Sequence, residues 1–267
     1  MTTELRVLLV GDAVGRPGRD AIKSVVPAMK QRGEVHYVIA NAENSAHGKG
    51  ITRETANQML AAGVDVMTAG NHTWDNKDIF QFIHNEPKLL RPANFSAYPE
   101  VPGRGLGIFD VPGFHGLKIA VANLIGRVMM GSADCPFKAA NAIIDQAHKE
   151  TPILFVDFHA EATSEKIAMG WHVDGRVTSI TGTHTHVQTA DNTVLPGGTA
   201  YMTDLGMTGG HHGVIGVKYP EVLHRFLTGL PVRHEVATDN VILCGAIVTV
   251  DTRTGRALAI ERIRQQL

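Results

Sequence analysis

Five times along this chain an apolar, β-branched-rich run breaks into a short cluster of metal-ligand residue types, and this repeated arrangement constrains the fold more than any other feature. Residues 5–10 lead into Gly11-Asp12, and residues 35–40 into Asn41-Ala42-Glu43-Asn44. Residues 64–69 lead into Gly70-Asn71-His72-Thr73-Trp74-Asp75, and residues 153–158 into His159-Ala160-Glu161. Finally, Val177-Thr178-Ser179-Ile180-Thr181 leads into Gly182-Thr183-His184-Thr185-His186. Runs of this length and composition are buried strands. In open α/β sheets the functional groups gather at the carboxyl ends of the strands, which is where these clusters fall.

Helical spacing fills the intervals, so the fold class is α/β. Residues 17–30 place Ile22, Val25, Val26 and Met29 on one stripe and stop at Gly33; residues 52–62, 76–84, 136–149 and 163–171 predict further helices. The Pro- and Gly-rich stretch 91–116 predicts a strand at 106–111 and a turn at Pro112-Gly113-Phe114-His115-Gly116 before a strand at 117–124, a hairpin or meander rather than a domain linker. Strands are also predicted at 199–203, 241–250 and 257–263, with a short helix after Pro220.

With 267 residues, 43% of them hydrophobic, the chain is long enough for a sizeable core, and residues 1–267 are expected to form one domain. A net charge of -1 gives no global field for duplex DNA or an anionic membrane surface. Cys135 and Cys244 have neither metal nor redox spacing and read as small buried hydrophobes. Met1 to Glu4 run straight into a strand, and no apolar stretch approaches the roughly 18 residues of a membrane span. The expectation is a cytoplasmic protein without a membrane partner.

The clusters carry the chemistry. His184 and His186, one residue apart on an extended segment, point to the same side and suit one metal site or two adjacent ones. Asp12 is placed like a site residue, although it could instead cap the helix that follows. Glu43 can bridge two cations with its two oxygens, and Asn44 offers one neutral oxygen, so the pair suits the shared corner of a two-metal site. Asn71 offers an amide oxygen, whereas His72 points to the opposite side of the chain and could stand above the metals as a proton donor. His159 is a third imidazole candidate. Lys49, in the glycine-rich His47-Gly48-Lys49-Gly50, could meet an anionic substrate group, and Trp74 reads as core or pocket wall. Asp75, and Thr163 or Ser164, are available as helix caps. His211 and His212 diverge in direction, and the glycines of residues 206–213 predict a mobile loop.

Taken in order, the Asp12, Glu43-Asn44, Asn71-His72, His159 and His184/His186 set resembles the calcineurin-like metallophosphoesterase superfamily, with Gly-Asn-His at 70–72 and Gly-x-His-x-His at 182–186 carrying the match. More closely the chain resembles the bacterial YmdB family of phosphodiesterases, through Ala46-His47-Gly48-Lys49-Gly50, Asn71-His72-Thr73-Trp74-Asp75, the segment from Val156 to Lys166, and the segment from Gly182 to Thr189. The resemblance implies a sandwich of two central mixed β-sheets flanked by helices. It implies two divalent or trivalent metal ions per subunit, one held by Asp12, Asn44 and His186, the other by Asn71, His159 and His184, with Glu43 shared. Oxygen and imidazole donors without thiolate favour iron or manganese over structural zinc. The superfamily's usual Asp-x-His is absent, since Ala13-Val14 follow Asp12, and Asn44 fills the vacancy.

The implied reaction is attack of a metal-bridging hydroxide on the phosphorus of a small phosphodiester, such as a 2',3'-cyclic nucleotide, with His72 as general acid and Lys49 and Trp74 as weak substrate contacts. Implied partners are that substrate, RNA-derived ends, regulatory proteins and further copies of the chain in a homo-oligomer. Competing readings are amide or ester hydrolysis at carbon, and a metal-dependent regulatory or scaffold protein with incidental esterase activity.

Overall fold

The apolar runs become strands because both of their faces are covered. The computed structural model describes residues 4–95 and 101–267. Its first half contains β1 (Glu4–Val10), the two-residue β2 (Asp12–Ala13), α1 (Gly15–Gln31), β3 (Tyr37–Asn41), α2 (Arg53–Ala61), β4 (Val66–Thr68), a 3-10 turn (Lys77–Gln81) and β5 (Leu89–Leu90). There follow β6 (Leu106–Asp110), β7 (Lys118–Ile125), α3 (Pro136–Ala147), β8 (Leu154–His159), α4 (Thr163–Val173) and β9 (Ser179–Thr183). The remainder holds β10 (Thr193–Val194), β11 (Ala200–Met202), β12 (Met207–Gly210), α5 (Tyr219–Thr228), β13 (Val241–Asp251) and β14 (Ala257–Gln266).

These strands form two mixed sheets. One has the order β2-β12-β13-β1-β3-β4-β5, with β14 also on β13; the other runs β10-β11-β9-β8-β7-β6. Alternation along β1 shows how the layers assemble: Leu5, Val7 and Leu9 pack with Ile119, Val121 and Phe155 of the facing sheet. Leu8 and Val10 turn the other way, onto Ile22, Val25 and Val26 of α1. The outer face of the second sheet, through Leu124, Leu154, Val156 and Phe158, is covered by Ile143 and Ile144 of α3 and Met169 and Val173 of α4. The result is the expected αββα layering, and strands buried on both faces explain why the runs are nearly unbroken in sequence. Among the described residues, no helix is long and apolar enough to cross a membrane.

Several local expectations are corrected. Residues 76–84 form only a 3-10 turn, capped by Asn76, whose side chain accepts from the Asp78 amide, so Asp75 is not the cap. Asp12 does not cap α1: it sits in β2, and Val14 holds the cap position without a side-chain bond. The α4 cap is Ala162, so neither Thr163 nor Ser164 fills that role. The segment expected to be a mobile loop contains β12, paired to both β2 and β13. Its glycines serve close approach, since a Cβ on Gly210 would lie 2.2 Å from the carbonyl oxygen of Ala237. The two-residue β5 was not expected. The 106–111/117–124 hairpin is present as antiparallel β6 and β7. Residues 96–100 of the preceding Pro- and Gly-rich stretch, and residues 1–3 of the leading segment, lie outside the described residues.

Candidate metal centre

Parallel pairing of β3 with β1 on one side and β4 on the other brings three carboxyl ends to one edge of the first sheet, and parallel pairing of β8 with β9 brings two to the second. The two edges meet. His159, at the end of β8, has its Nε2 2.8 Å from Asn71 Oδ1 and 3.1 Å from Glu43 Oε1, both from loops of the other sheet. Gly70 makes this approach possible: a Cβ there would stand 2.3 Å from His159 Cδ2 and 2.4 Å from Glu43 Oε2.

The hydrogen-bond network fixes which ring nitrogens carry lone pairs. Thr183 Oγ1 donates to Asp157 Oδ1 at 2.7 Å, so it accepts from His159 Nδ1 at 2.9 Å, and the lone pair of His159 lies on Nε2. His184 Nε2 donates to Glu161 Oε2 at 3.0 Å, which leaves the His184 lone pair on Nδ1, 3.1 Å from that same His159 Nε2. Burial pushes the pKa of both imidazoles down to about 4, so both rings are neutral near pH 7. Burial also raises the Glu43 carboxyl to about 7, against the pull of His72. One proton on Glu43 would relieve one pair of facing atoms, but the lone pairs of Asn71, Glu43, His159 and His184 converge together. The ligand atoms of Glu43, His159 and His184 all lie within 4.8 Å of one another. Acceptors that face one another, two of them fully buried, fit a cation between them.

A second set adjoins the first. Asp12 is fully buried; its Oδ2 accepts from the His184 amide at 3.1 Å, while its Oδ1 has no hydrogen-bond partner among the described residues. That oxygen lies 3.8 Å from His186 Nε2 and 3.9 Å from His159 Nδ1. His186 Nδ1 donates to the carbonyl of Ile215 at 2.9 Å, so its Nε2 carries a lone pair directed toward this space. Asn44 faces the same nitrogen with its Nδ2, at 3.2 Å. To offer its oxygen to a metal, the Asn44 amide must turn over. An orphaned buried carboxylate oxygen beside an imidazole lone pair fits a second cation. Desolvation raises the Asp12 pKa, and the nearby His186 and His159 oppose that rise. Both loop histidines hold left-handed backbone, with φ of 98° at His184 and 64° at His186, a conformation that non-glycine residues adopt only when their surroundings enforce it.

His72 sits beside both sets. Its amide donates to Glu43 Oε2 at 3.0 Å, and its Nδ1 lies 2.8 Å from Asp75 Oδ2. It lines a cleft of about 190 Å³ together with Asn44, Lys49 and His186. Trp74 is not among the lining residues; it stacks on Phe80 with ring centroids 5.2 Å apart and packs against the helix-side core. His211 bonds the Met207 carbonyl and His212 stacks on Tyr219, so neither joins the cluster.

Sequence reasoning did not assign the residues that hold these ligands. Asp157 is buried, its carboxyl raised to about 6 by desolvation, and it accepts from Asn41, Thr68 and Thr183. Glu161 fixes the His184 tautomer. A signal for Asp157 existed: an acidic residue inside the apolar run 153–158 must find donors if that strand is buried on both faces.

Residues 8–263 match the family described as YmdB-like protein. The 2',3'-cyclic-nucleotide 2'-phosphodiesterase of Bacillus subtilis (strain 168) is 49% identical over 260 residues, covering 97% of this chain and 96% of that protein. Among solved structures, a phosphatase from Mycoplasma pneumoniae superposes with a TM-score of 0.92 at 35% identity, covering 100% of this chain and 95% of its own. A hypothetical protein from Thermus thermophilus gives a TM-score of 0.89 at 37% identity, covering 98% of this chain and 99% of its own. The layered sandwich is thus the calcineurin-like metallophosphoesterase fold, and the chain belongs to the YmdB-like family within it.

Proposed function

We propose that this protein is a dinuclear metal-dependent phosphodiesterase that hydrolyses 2',3'-cyclic nucleotides or related small phosphodiesters. The observation that carries the reading is the convergence of lone pairs from Asn71, Glu43, His159 and His184, with Glu43 and His159 buried, beside an Asp12 oxygen that has no partner among the described residues. It is supported by the 49% identity to the Bacillus subtilis 2',3'-cyclic-nucleotide 2'-phosphodiesterase. In this reading Asn71, His159 and His184 hold one ion, Asp12, Asn44 and His186 hold the other, and Glu43 is shared. The oxygen and imidazole donors suit iron or manganese. When bound, such ions lower the pKa of a coordinated water and neutralise charge on phosphoryl oxygens.

The chain's own residues do the rest. His159 and His184 stay neutral, their tautomers set by Thr183 and Glu161, and keep their lone pairs inward. Asp75 accepts from His72 Nδ1, which orients the ring; as the imidazolium, which carries a second proton on Nε2, His72 gives that Nε2 proton to the leaving alkoxide as the cyclic diester opens and is left as the neutral ring. Lys49, in the same cleft, is suited to an anionic substrate oxygen. The test is to assay protein of counted metal content on a generic aryl phosphodiester, the matching monoester and 2',3'-cyclic AMP. Turnover of the diesters well above the monoester supports the reading; metal-loaded protein that turns over none of them overturns it.

A further inference from the structure

We infer that the buried ion pair of Lys166 and Asp204 is a positioning device that sets the shape of the loop bearing His184 and His186 and the place of Asp12, and thereby the metal affinity of the site; the inference rests on the metal-site reading above. Both side chains are 1% exposed, and they meet at 2.7 Å. Lys166 Nζ also donates to the carbonyl of Thr183 at 2.8 Å, the residue before His184. Asp204 Oδ2 accepts from Thr185 twice, from the amide at 3.2 Å and from Oγ1 at 2.8 Å, the residue between His184 and His186. Its Oδ1 accepts from the Gly206 amide at 2.8 Å, and the Gly206 carbonyl in turn accepts from the Asp12 amide at 3.1 Å. One pair therefore pins the chain on both sides of His184 and reaches Asp12 through a single residue.

Two physical arguments favour positioning over bulk stability. The left-handed φ values of His184 and His186 need an external restraint, and the hydrogen bonds to Thr183 and Thr185 supply one where it is needed. A buried ion pair is also a poor source of stability, because well-packed apolar replacements are often as stable or more so. Its hydrogen bonds to ligand-bearing backbone give this pair a different use. The arrangement matches the general finding that groups behind metal ligands set affinity by holding them in place.

The test titrates metal-free protein with Mn²⁺ by calorimetry and records the thermal midpoint of each apo protein. Lys166→Met/Asp204→Asn removes both charges, so neither is left buried and unpaired, and Thr185→Val removes one hydroxyl bond to Asp204. Asp174→Asn is the control, since that carboxylate also holds a turn, accepting from the Gly197 amide at 2.8 Å, but touches none of the proposed ligands. The double variant is expected to bind Mn²⁺ about tenfold or more weakly. Thr185→Val should show a smaller loss, and Asp174→Asn unchanged affinity even if its midpoint falls. Wild-type affinity in both Thr185→Val and the double variant overturns the inference, as does an equal loss in Asp174→Asn. Should the double variant not fold, Thr185→Val alone decides. A wild-type protein that binds neither Mn²⁺ nor Fe²⁺ overturns the metal reading itself, and the positioning role with it.

Discussion

His159 Nε2 stands 3.1 Å from His184 Nδ1, and the partners of both rings leave lone pairs on these two atoms. Without a cation or proton between them this contact is repulsive, so bound metal should stabilise the fold. At free metal about 100-fold above its dissociation constant, linkage contributes about 2.7 kcal/mol. For a chain of this size that is roughly 5–10 °C in the unfolding midpoint. Thermal unfolding of chelator-treated protein with and without added Mn²⁺ checks this, and an unchanged midpoint counts against the site.

Gly70→Ala introduces a methyl group where His159 and Glu43 already lie within 2.4 Å. The Asn71-His72 loop must then move away from the β8 edge. Metal per chain is expected to fall below half of the wild-type content, with a far-ultraviolet circular dichroism spectrum like the wild type, because the strands themselves are not touched. Full metal content in this variant would contradict the close packing described.

Glu161 accepts from His184 Nε2 at 3.0 Å and is half exposed. Glu161→Ala removes the group that fixes the ring's tautomer, and losses of such partners typically cost about 10–100-fold in metal affinity or activity. Glu161→Gln retains an acceptor oxygen and should lose much less. A metal titration of both variants separates the acceptor role from a surface charge effect, which would make the two equal.

Asn44 is a neutral donor where a charged or imidazole group would hold a cation more strongly, and its amide must turn over to offer oxygen at all. The ion near Asp12 and His186 is therefore expected to leave first. Stepwise mild chelation followed by metal analysis should pass through a state with about one ion per chain; simultaneous loss of both ions would contradict this.

The strand ends were legible because both faces of β1, β3 and β8 are buried, which removes polar interruptions until the strand reaches the site edge. Asp12, Glu43, Asn71, His159, His184 and His186 stood out for that reason. The residues behind them did not, because the need for Lys166 and Asp204 arises only when α4 is laid against the loop after β9. The 206–213 segment misled for a different reason. Glycine marks either freedom or close approach, and the partners that make β12 a strand are Asp12 and Ala13, far earlier in the chain, and Val241 and Ile242 beyond it. Residues 76–84 carry apolar positions that suit a helix, yet Asn76 caps only one short turn there.

The most direct test of the central claim pairs His72→Ala with substrates that differ in their leaving group. The variant should retain about two metals per chain, because His72 touches Glu43 through its backbone amide and not its ring. Its turnover of 2',3'-cyclic AMP, which expels an alkoxide, should fall about 10²- to 10⁴-fold. Turnover of a nitrophenyl diester, whose leaving group needs little protonation, should fall far less. Equal losses on both substrates, or loss of the metals, would contradict the assignment of His72 as the acid beside a two-metal centre.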